Sequence, residues 1–415
     1  MRGEIIAIGD ELITGRVINT TSGFAARNLF ASGHQITHIH TVGDVLEGIG
    51  RVLNQVLERS EFVIITGGLG STSDDITNEA VVTALGYPWT VHPEVAAAIR
   101  ARHPEQDSPH LEKMAWLPEG AEVFDCGSRM AGYQLVHQGK PLFFLPGVPS
   151  QMEYLMVRQV LPRLNRLCEG IQRPALQQIF RTFGLREIEI NDRLLALEGQ
   201  DNIRIGYYPV GCEVHVSLTV RDTDPQREKA RFTAVEEQLR RALGKALYGT
   251  GEETMAAAVG KLLLKRGETL VVAESCTGGL ISTKITQVPG CSAWYLGGVT
   301  AYANTLKEAL LGVEPELIAS CGAVSSRVAW AMAARPAEAL GATLGLSTTG
   351  IAGPDGGTPE KPVGTVHIGL YQHGRVQDQL FRFAGSRAQI QEHTAITALD
   401  ILRRALLAAQ EGKEG

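Results

Sequence analysis

Apolar runs of strand length alternate with stretches of helical spacing from the first residues onward. Glu4-Ile-Ile-Ala-Ile8 reads as a buried strand ended by Gly9-Asp10-Glu11. Ala25, Leu29 and Phe30 recur at helical spacing behind a capping Asn19 or Thr20, and Gly33 stops that run. Ile36–Val42 is a second strand, Leu46–Leu57 a second helix and Phe62-Val-Ile-Ile-Thr66 a third strand. Thr77–Leu85 adds a helix and Pro141–Leu145 a strand. This rhythm predicts a largely parallel sheet covered by helices, closing near Arg166.

The pattern then changes twice. Glu213-Val-His-Val-Ser-Leu-Thr-Val220 alternates at period two, as in a sheet with one solvated face, and Gln177–Ile190 and Ile203–Val220 belong with it. A helix follows over Gln226–Leu243, with Phe232, Val235, Leu239 and Leu243 on one side. From Gly251 the buried-strand rhythm returns. Thr254 caps a helix over Met255–Lys265, closed by Gly267, and Thr269–Ala273 is a strand. Gly278-Gly279 opens a helix through Ile285, and Tyr295–Ala301 is a strand. Ser325–Leu340 is helical with an interruption at Pro336; Leu344–Ser347 and Gly364–Leu370 are strands, and Gln389–Ala409 is a terminal helix. The expected class is α/β: two α/β sandwich-type domains with largely parallel sheets, residues 1–166 and 251–415, joined by a small α+β module, residues 167–250.

A chain of 415 residues is long for a single core, which agrees with several domains. Hydrophobic content of 44% against 20% charged is that of a soluble globular chain. The formal net charge of -6 offers no blanket attraction to nucleic acid, and no basic patch with interleaved aromatics supplies a backbone track. No apolar run reaches membrane-spanning length. Met1-Arg2-Gly3-Glu4 enters the first strand without the apolar segment and small-residue cleavage site of a signal peptide, so a cytoplasmic location is expected. The 6 cysteines (Cys126, Cys168, Cys212, Cys276, Cys291 and Cys321) have neither zinc-site nor disulfide-framework spacing, and most are expected to be small buried hydrophobes.

Candidate chemistry gathers at strand ends. Ser275 follows an apolar strand and precedes a glycine-supported turn into a helix, where free N–H groups can stabilise developing negative charge. Serine at a helix start also serves simple capping. Lys307, if buried with a lowered pKa, supplies a base, and Tyr302 can relay the proton; otherwise these are a solvated lysine and a core-edge tyrosine. Thr348 and Thr349 precede Gly350, Gly353, Gly356 and Gly357, a run that either converges N–H groups on an anion or closes a tight connection. Near the start of the chain, Thr66-Gly-Gly-Leu-Gly-Ser-Thr-Ser-Asp-Asp-Ile-Thr77 follows a strand. Gly67, Gly68 and Gly70 can cradle phosphate, and Asp74 and Asp75 can hold a bridging divalent cation or cap the next helix. Asp10, Glu11 and Asp44 at other strand ends suit a crevice shared by several loops.

These motifs carry a resemblance that spans nearly the whole chain. E-S-C-T-G-G-L at Glu274–Leu280, V-P-G at Val288–Gly290, G-G-V-T-A-Y-A-N at Gly297–Asn304 and the run Thr349–Val366 resemble the nicotinamide-nucleotide amidase family, also found as the C-terminal domain of CinA, the competence- and damage-inducible protein. The resemblance implies conversion of nicotinamide mononucleotide (NMN) and water to nicotinate mononucleotide and ammonia without a cofactor. Ser275 is then the nucleophile, Tyr302 and Lys307 handle its proton, and Thr349 serves the oxyanion. Gly278, Gly279, Asn304, Gly350, Gly353, Gly357 and Arg387 would bind substrate, Arg387 at its phosphate.

Residues 1–166 resemble the molybdopterin-binding-like half of full-length CinA through I-G-D-E-L-I-T-G at Ile8–Gly15, V-G-D at Val42–Asp44, T-G-G-L-G at Thr66–Gly70, D-D-I-T at Asp74–Thr77 and L-P-G-V-P at Leu145–Pro149. F-G-L-R-E at Phe183–Glu187 resembles the family's entry into the middle module. The N-terminal resemblance implies hydrolysis of ADP-ribose to AMP and ribose 5-phosphate with a divalent metal (Mg, Mn or Co). Asp74 and Asp75 are the implied metal ligands, Asp75 doubling as a base, and Asp44, Gly67, Gly68 and Gly70 contact substrate. Ser71 stands where the family pattern has proline. The resemblance further implies a homodimer. The alternatives are a molybdopterin-like cofactor-binding protein and a competence accessory protein.

Overall fold

The computed structural model describes residues 1–102, 109–124, 132–168 and 176–411. Its contacts divide the chain into two units, Met1–Ala175 and Leu176–Gly415.

The first unit is built on a six-stranded sheet in the order Gln35–Val42, Arg2–Ile8, Phe62–Thr66, Lys140–Leu145, Tyr133–His137, Glu122–Val123. The first four strands run parallel and the last two antiparallel. Strand period two explains its two cores. Ile6, Ile8, Val63, Ile65, Leu142 and Phe144 face one way, against Ile49, Leu53 and Val56 of the helix Leu46–Arg59. Ile5, Phe62, Ile64, Phe143 and Leu145 face the other, against Ala25 and Leu29 of the helix Thr20–Ala31. Asn19 caps that helix by accepting from Ser22 N–H.

Glu4 interrupts the apolar strand and is fully buried. Burial alone would raise its carboxyl, but hydrogen bonds from Arg59 (2.6 and 2.9 Å) and His40 (2.7 Å) hold it down at about 2. A depressed carboxyl contributes stability above its unfolded value of 4.5, and that contribution is lost as pH falls through 2. Glu4→Gln is therefore expected to cost about 2 kcal/mol at pH 7 and much less near pH 2 in urea titrations. An equal loss at both pH values would contradict the pairing.

In the second unit, residues 176–250 form a β-α-β-β-α-β module. Its antiparallel sheet runs Ile203–Val210, Glu213–Val220, Leu176–Thr182, Leu247–Thr250. Val214, Val216, Leu218 and Val220 share a core with Ile190 and Leu194 of the helix Glu187–Glu198 and with Val235, Leu239 and Leu243 of the helix Pro225–Leu243. The opposite face is less open than its alternation predicts. Ser217 and Thr219 are buried there, and Gln177 reaches across to donate to Thr219 Oγ1 at 3.0 Å.

The rest of the second unit carries a five-stranded sheet ordered Tyr295–Thr300, Leu270–Glu274, Leu344–Gly350, Thr365–Gln372, Arg375–Arg382. The first three strands are parallel and the other two antiparallel. The helices Met255–Arg266 and Arg387–Glu411 supply one core, with Val259, Leu263, Leu399 and Leu402 against Leu270, Val272, Leu344 and Leu346. The helix Ser326–Leu340 covers the other face and runs unbroken through Pro336, contrary to the expected interruption. Its alanine-rich side presses on the sheet closely enough that a Cβ at Gly345 would lie 2.0 Å from Ala333 carbonyl oxygen. This contact holds the helix in line across the proline.

Of the cysteines, Cys168 and Cys276 are buried, whereas Cys212, Cys291 and Cys321 are only partly so, fewer than expected. Cys126 lies outside the described residues. Among the described residues, no helix is long and apolar enough to cross a membrane.

Candidate active sites

In the second unit, three parallel neighbours deliver their C-terminal ends to one edge of the sheet. Glu274 stands in register with Thr300 on one side and Thr348 on the other. The residues that follow, Ser275, Ala301-Tyr302 and Thr349, therefore emerge together where open parallel sheets bind ligands. Ser275 N–H donates to Thr348 carbonyl at 3.0 Å and Ala301 N–H to Glu274 carbonyl at 2.8 Å, which pins the three chain ends. Ser275 is buried, and among the described residues its Oγ makes no hydrogen bond.

Lys307 comes from the helix Asn304–Leu311 and is 1% exposed. Its Nζ donates to the carbonyls of Ala301 (2.9 Å) and Tyr302 (2.8 Å). Burial lowers its pKa from 10.5. A neutral amine has two hydrogens; with both given to carbonyls, its lone pair is left to accept a proton. Cys276, beside the serine, is buried, and burial pushes its thiol up to about 12, which removes it as a thiolate nucleophile at neutral pH.

Tyr302 is 61% exposed, and its hydroxyl accepts from Arg387 Nη2 at 3.0 Å. Arg387 Nη1 donates to Gly353 carbonyl at 2.8 Å. Two expected substrate-binding residues, Arg387 and Gly353, are thus joined to the expected proton relay Tyr302 from distant segments. Asn304 is exposed at the first residue of its helix.

Other expectations need correction. The helix Leu280–Thr286 does not present open N–H groups. The fully buried Glu274 carboxylate accepts from the N–H groups of Gly279 (3.0 Å), Ile281 (3.1 Å) and Ser282 (2.8 Å), and from Ser282 Oγ (2.7 Å). Gly278 N–H donates to Ser275 carbonyl. The amides of Gly278 and Gly279 are therefore occupied within the protein, while those of Cys276 and Thr277 donate to no oxygen of the described residues. Thr349 Oγ1 donates to Ala323 carbonyl at 2.8 Å, so its hydroxyl hydrogen is turned away from an oxyanion. The glycine run after it is a tight connection. A Cβ at Gly353 would lie 2.6 Å from Val363 Cγ1, at Gly357 2.8 Å from Val363 N, and at Gly350 2.7 Å from Val366 Cγ2.

In the first unit, Asp44, Gly67, Gly68, Gly70, Asp74 and Asp75 all line one cavity of about 550 Å³, together with Glu11 and Ser71. Gly67 adopts φ +103°, and a Cβ there would lie 2.1 Å from Ile8 carbonyl oxygen, so only glycine lets this loop cross the first strand's end. Asp75 Oδ2 accepts from Thr72 N–H (2.8 Å) and Thr72 Oγ1 (2.6 Å), and Thr72 Oγ1 also donates to Asp74. Asp10 and Asp44 accept reciprocally from each other's N–H groups at 2.8 and 3.1 Å. Burial, aided by the charges of Asp10, Glu11 and Asp74, raises the Asp44 carboxyl, the signature of a site that favours added positive charge. Among the described residues no three His, Cys, Asp or Glu side chains converge as a cage. A magnesium-like ion needs only one or two carboxylates, with water and substrate phosphate completing its shell, so Asp74, Asp75 and Asp44 fit that chemistry.

Sequence models of known domains match this layout in order. A probable molybdopterin binding domain matches residues 4–166, the damage-inducible protein CinA KH domain residues 177–249, and the CinA C-terminal domain residues 252–406. A CinA-like protein of Desulfotalea psychrophila is 52% identical over 407 residues, covering 97% of this chain and 98% of its own. The chain belongs to the CinA-like protein family. Another CinA-like protein, of Kosmotoga olearia, is 38% identical over 98% of this chain and 99% of its own. The crystal structure of the competence/damage inducible protein CihA from Agrobacterium tumefaciens is 38% identical, with TM-score 0.36, covering 37% of this chain and 93% of that one.

This CinA-like chain departs from one implication of its middle domain's name. KH modules clamp nucleic acid with a G-x-x-G loop, and no such spacing occurs in residues 177–249. Sequence reasoning passed over Glu274. Its signal was a lone carboxylate closing the apolar strand Leu270–Glu274 directly before the glycine turn.

Proposed function

We propose that the C-terminal domain deamidates NMN through an acyl-enzyme on Ser275. What carries this reading is an unengaged Ser275 hydroxyl at one strand end and, bonded to the Ala301 and Tyr302 carbonyls at the neighbouring strand end, a buried lysine whose pKa is lowered. Ser275 Oγ attacks the carboxamide carbon, and its proton passes to the Lys307 amine, directly or through Tyr302. The N–H groups of Cys276 and Thr277, which donate to no oxygen of the described residues, would hold the oxyanion in place of Thr349. Each well-aimed donor contributes about 3 kcal/mol. The carbon–nitrogen bond then breaks, and Lys307 returns the proton to the departing nitrogen, releasing ammonia. Water attacks the ester, giving nicotinate mononucleotide and restoring the serine. Arg387, already at Tyr302, supplies positive charge for the substrate phosphate.

We further infer that the N-terminal domain hydrolyses ADP-ribose to AMP and ribose 5-phosphate. The shared cavity of the Gly67–Gly70 loop and three aspartates supports it. Asp74, Asp75 and Asp44 would hold a divalent ion there, whose charge favours diphosphate binding and water attack. Purified chain is expected to release ammonia from NMN in EDTA and to form AMP from ADP-ribose only with added Mg, Mn or Co. Asp74→Asn is expected to reduce AMP formation at least a hundredfold, to order of magnitude, and leave ammonia release unchanged. AMP formation in EDTA would refute the metal assignment, and no ammonia in either condition would refute the deamidase.

A further inference from the structure

Consecutive carbonyls shape the turn that carries Ser275. Glu274 carbonyl accepts from Ala301 N–H at 2.8 Å, Ser275 carbonyl from Gly278 N–H at 3.2 Å and Thr277 carbonyl from Leu280 N–H at 3.2 Å. Cys276 carbonyl differs from these in relying on a side chain: it accepts from Gln391 Nε2 at 2.8 Å. We propose that Gln391 is a positioning residue for the deamidation, aiming the Thr277 N–H at the oxyanion by holding the other end of the same peptide unit. The proposal rests on the deamidase reading of this domain and adds how one of its oxyanion donors is directed.

A trans peptide is planar, so its C=O and N–H point in opposite directions and turn only together. The bond between Cys276 and Thr277 is trans. Drawing the Cys276 oxygen toward Gln391 therefore sets the Thr277 N–H on the opposite side. That N–H donates to no oxygen of the described residues. Thr277 is itself buried, and its Oγ1 is hydrogen-bonded to Thr348 Oγ1 at 2.8 Å, which ties the far end of the unit to the neighbouring strand. A carbonyl can only accept, so the Gln391 amide faces it through nitrogen. Without that donor the unit can swing, and its carbonyl dipole then opposes the negative charge that develops on the substrate oxygen. A donor already aimed costs no reorganisation at that moment. Gln391 also lies four residues beyond Arg387 on the helix Arg387–Glu411, a spacing that places both on one face. Arg387 bonds the Tyr302 hydroxyl and Gly353 carbonyl, so one helix face grips both the tyrosine and the turn behind the nucleophile.

The test is steady-state ammonia release from NMN, at mildly alkaline pH, by the full chain carrying Gln391→Leu, Gln391→Glu or Gln391→Lys, with melting temperatures measured alongside. Leucine offers no donor and glutamate offers only acceptors. Each is expected to lower kcat about tenfold to a hundredfold, less than the loss of a whole oxyanion donor, with KM changed less than about twofold. Glutamate, which repels the Cys276 carbonyl, is expected to be the worse of the two. Lysine keeps an N–H donor and is expected to recover most of kcat. A mere packing role gives another ranking: near-isosteric glutamate is mildest, and losses follow the melting temperature. That ranking, a lysine variant no better than leucine, or wild-type kcat in both the leucine and glutamate variants would overturn the positioning role and leave the deamidase standing. No ammonia from the wild type would remove the deamidase and this role with it.

Discussion

Ser275→Ala is expected to cut ammonia release from NMN by roughly four to six orders of magnitude, as for other covalent nucleophiles. The size of the effect follows from the absence of a substitute at the same strand end. Cys276 is adjacent, but its thiol is buried and pushed up to about 12, so few molecules carry a thiolate at neutral pH. Its carbonyl accepts from Gln391 Nε2 at 2.8 Å, which fixes the backbone between serine and helix. Truncating Ser275 removes one unbonded oxygen and leaves those contacts in place, so the melting temperature should scarcely change. Cys276→Ala serves as the counterpart, with expected retention of most activity. The reverse ranking of the two variants would transfer the nucleophile to sulfur.

Lys307→Arg is expected to lower kcat by about a hundredfold to ten-thousandfold, the usual range for a lost general base. Arginine keeps a charge and donors for the Ala301 and Tyr302 carbonyls, but it cannot give up its proton at any working pH. The pH profile separates this from simple disruption. Burial lowers the Lys307 pKa, so the free amine gains population below the ordinary 10.5, and wild-type activity should climb as pH rises through that lowered value. The arginine variant should lose this rising limb. Retention of both rate and limb would show that the lysine is only a structural post beneath the tyrosine loop.

Much of this was written in local patterns. Ile5 and Ile6, or Phe143 and Phe144, announce a strand buried on both faces, and the sheet in the first unit uses each pair that way. The strand-end positions of Ser275, Tyr302 and Thr349 follow from where three apolar runs stop, because parallel neighbours end on the same side. What stayed hidden depends on side-chain direction or long separation. Glu274 turns under the helix Leu280–Thr286 only because Gly278 and Gly279 adopt φ +64° and +97°. Arg387 meets Tyr302 across 85 residues of sequence, and Thr349 spends its hydroxyl hydrogen on Ala323. None of these contacts has a periodic signature. Pro336 misled for a related reason: its effect on the helix Ser326–Leu340 is overridden by packing against Gly345, which no local window contains.

The most direct measurement is intact-protein and peptide mass spectrometry after rapid acid quench of the wild-type chain mixed with NMN. A nicotinoyl-mononucleotide ester on the peptide carrying Ser275, absent in Ser275→Ala, is the predicted result. An adduct on any other residue, or ammonia turnover with no trapped ester at any quench time, would contradict the account.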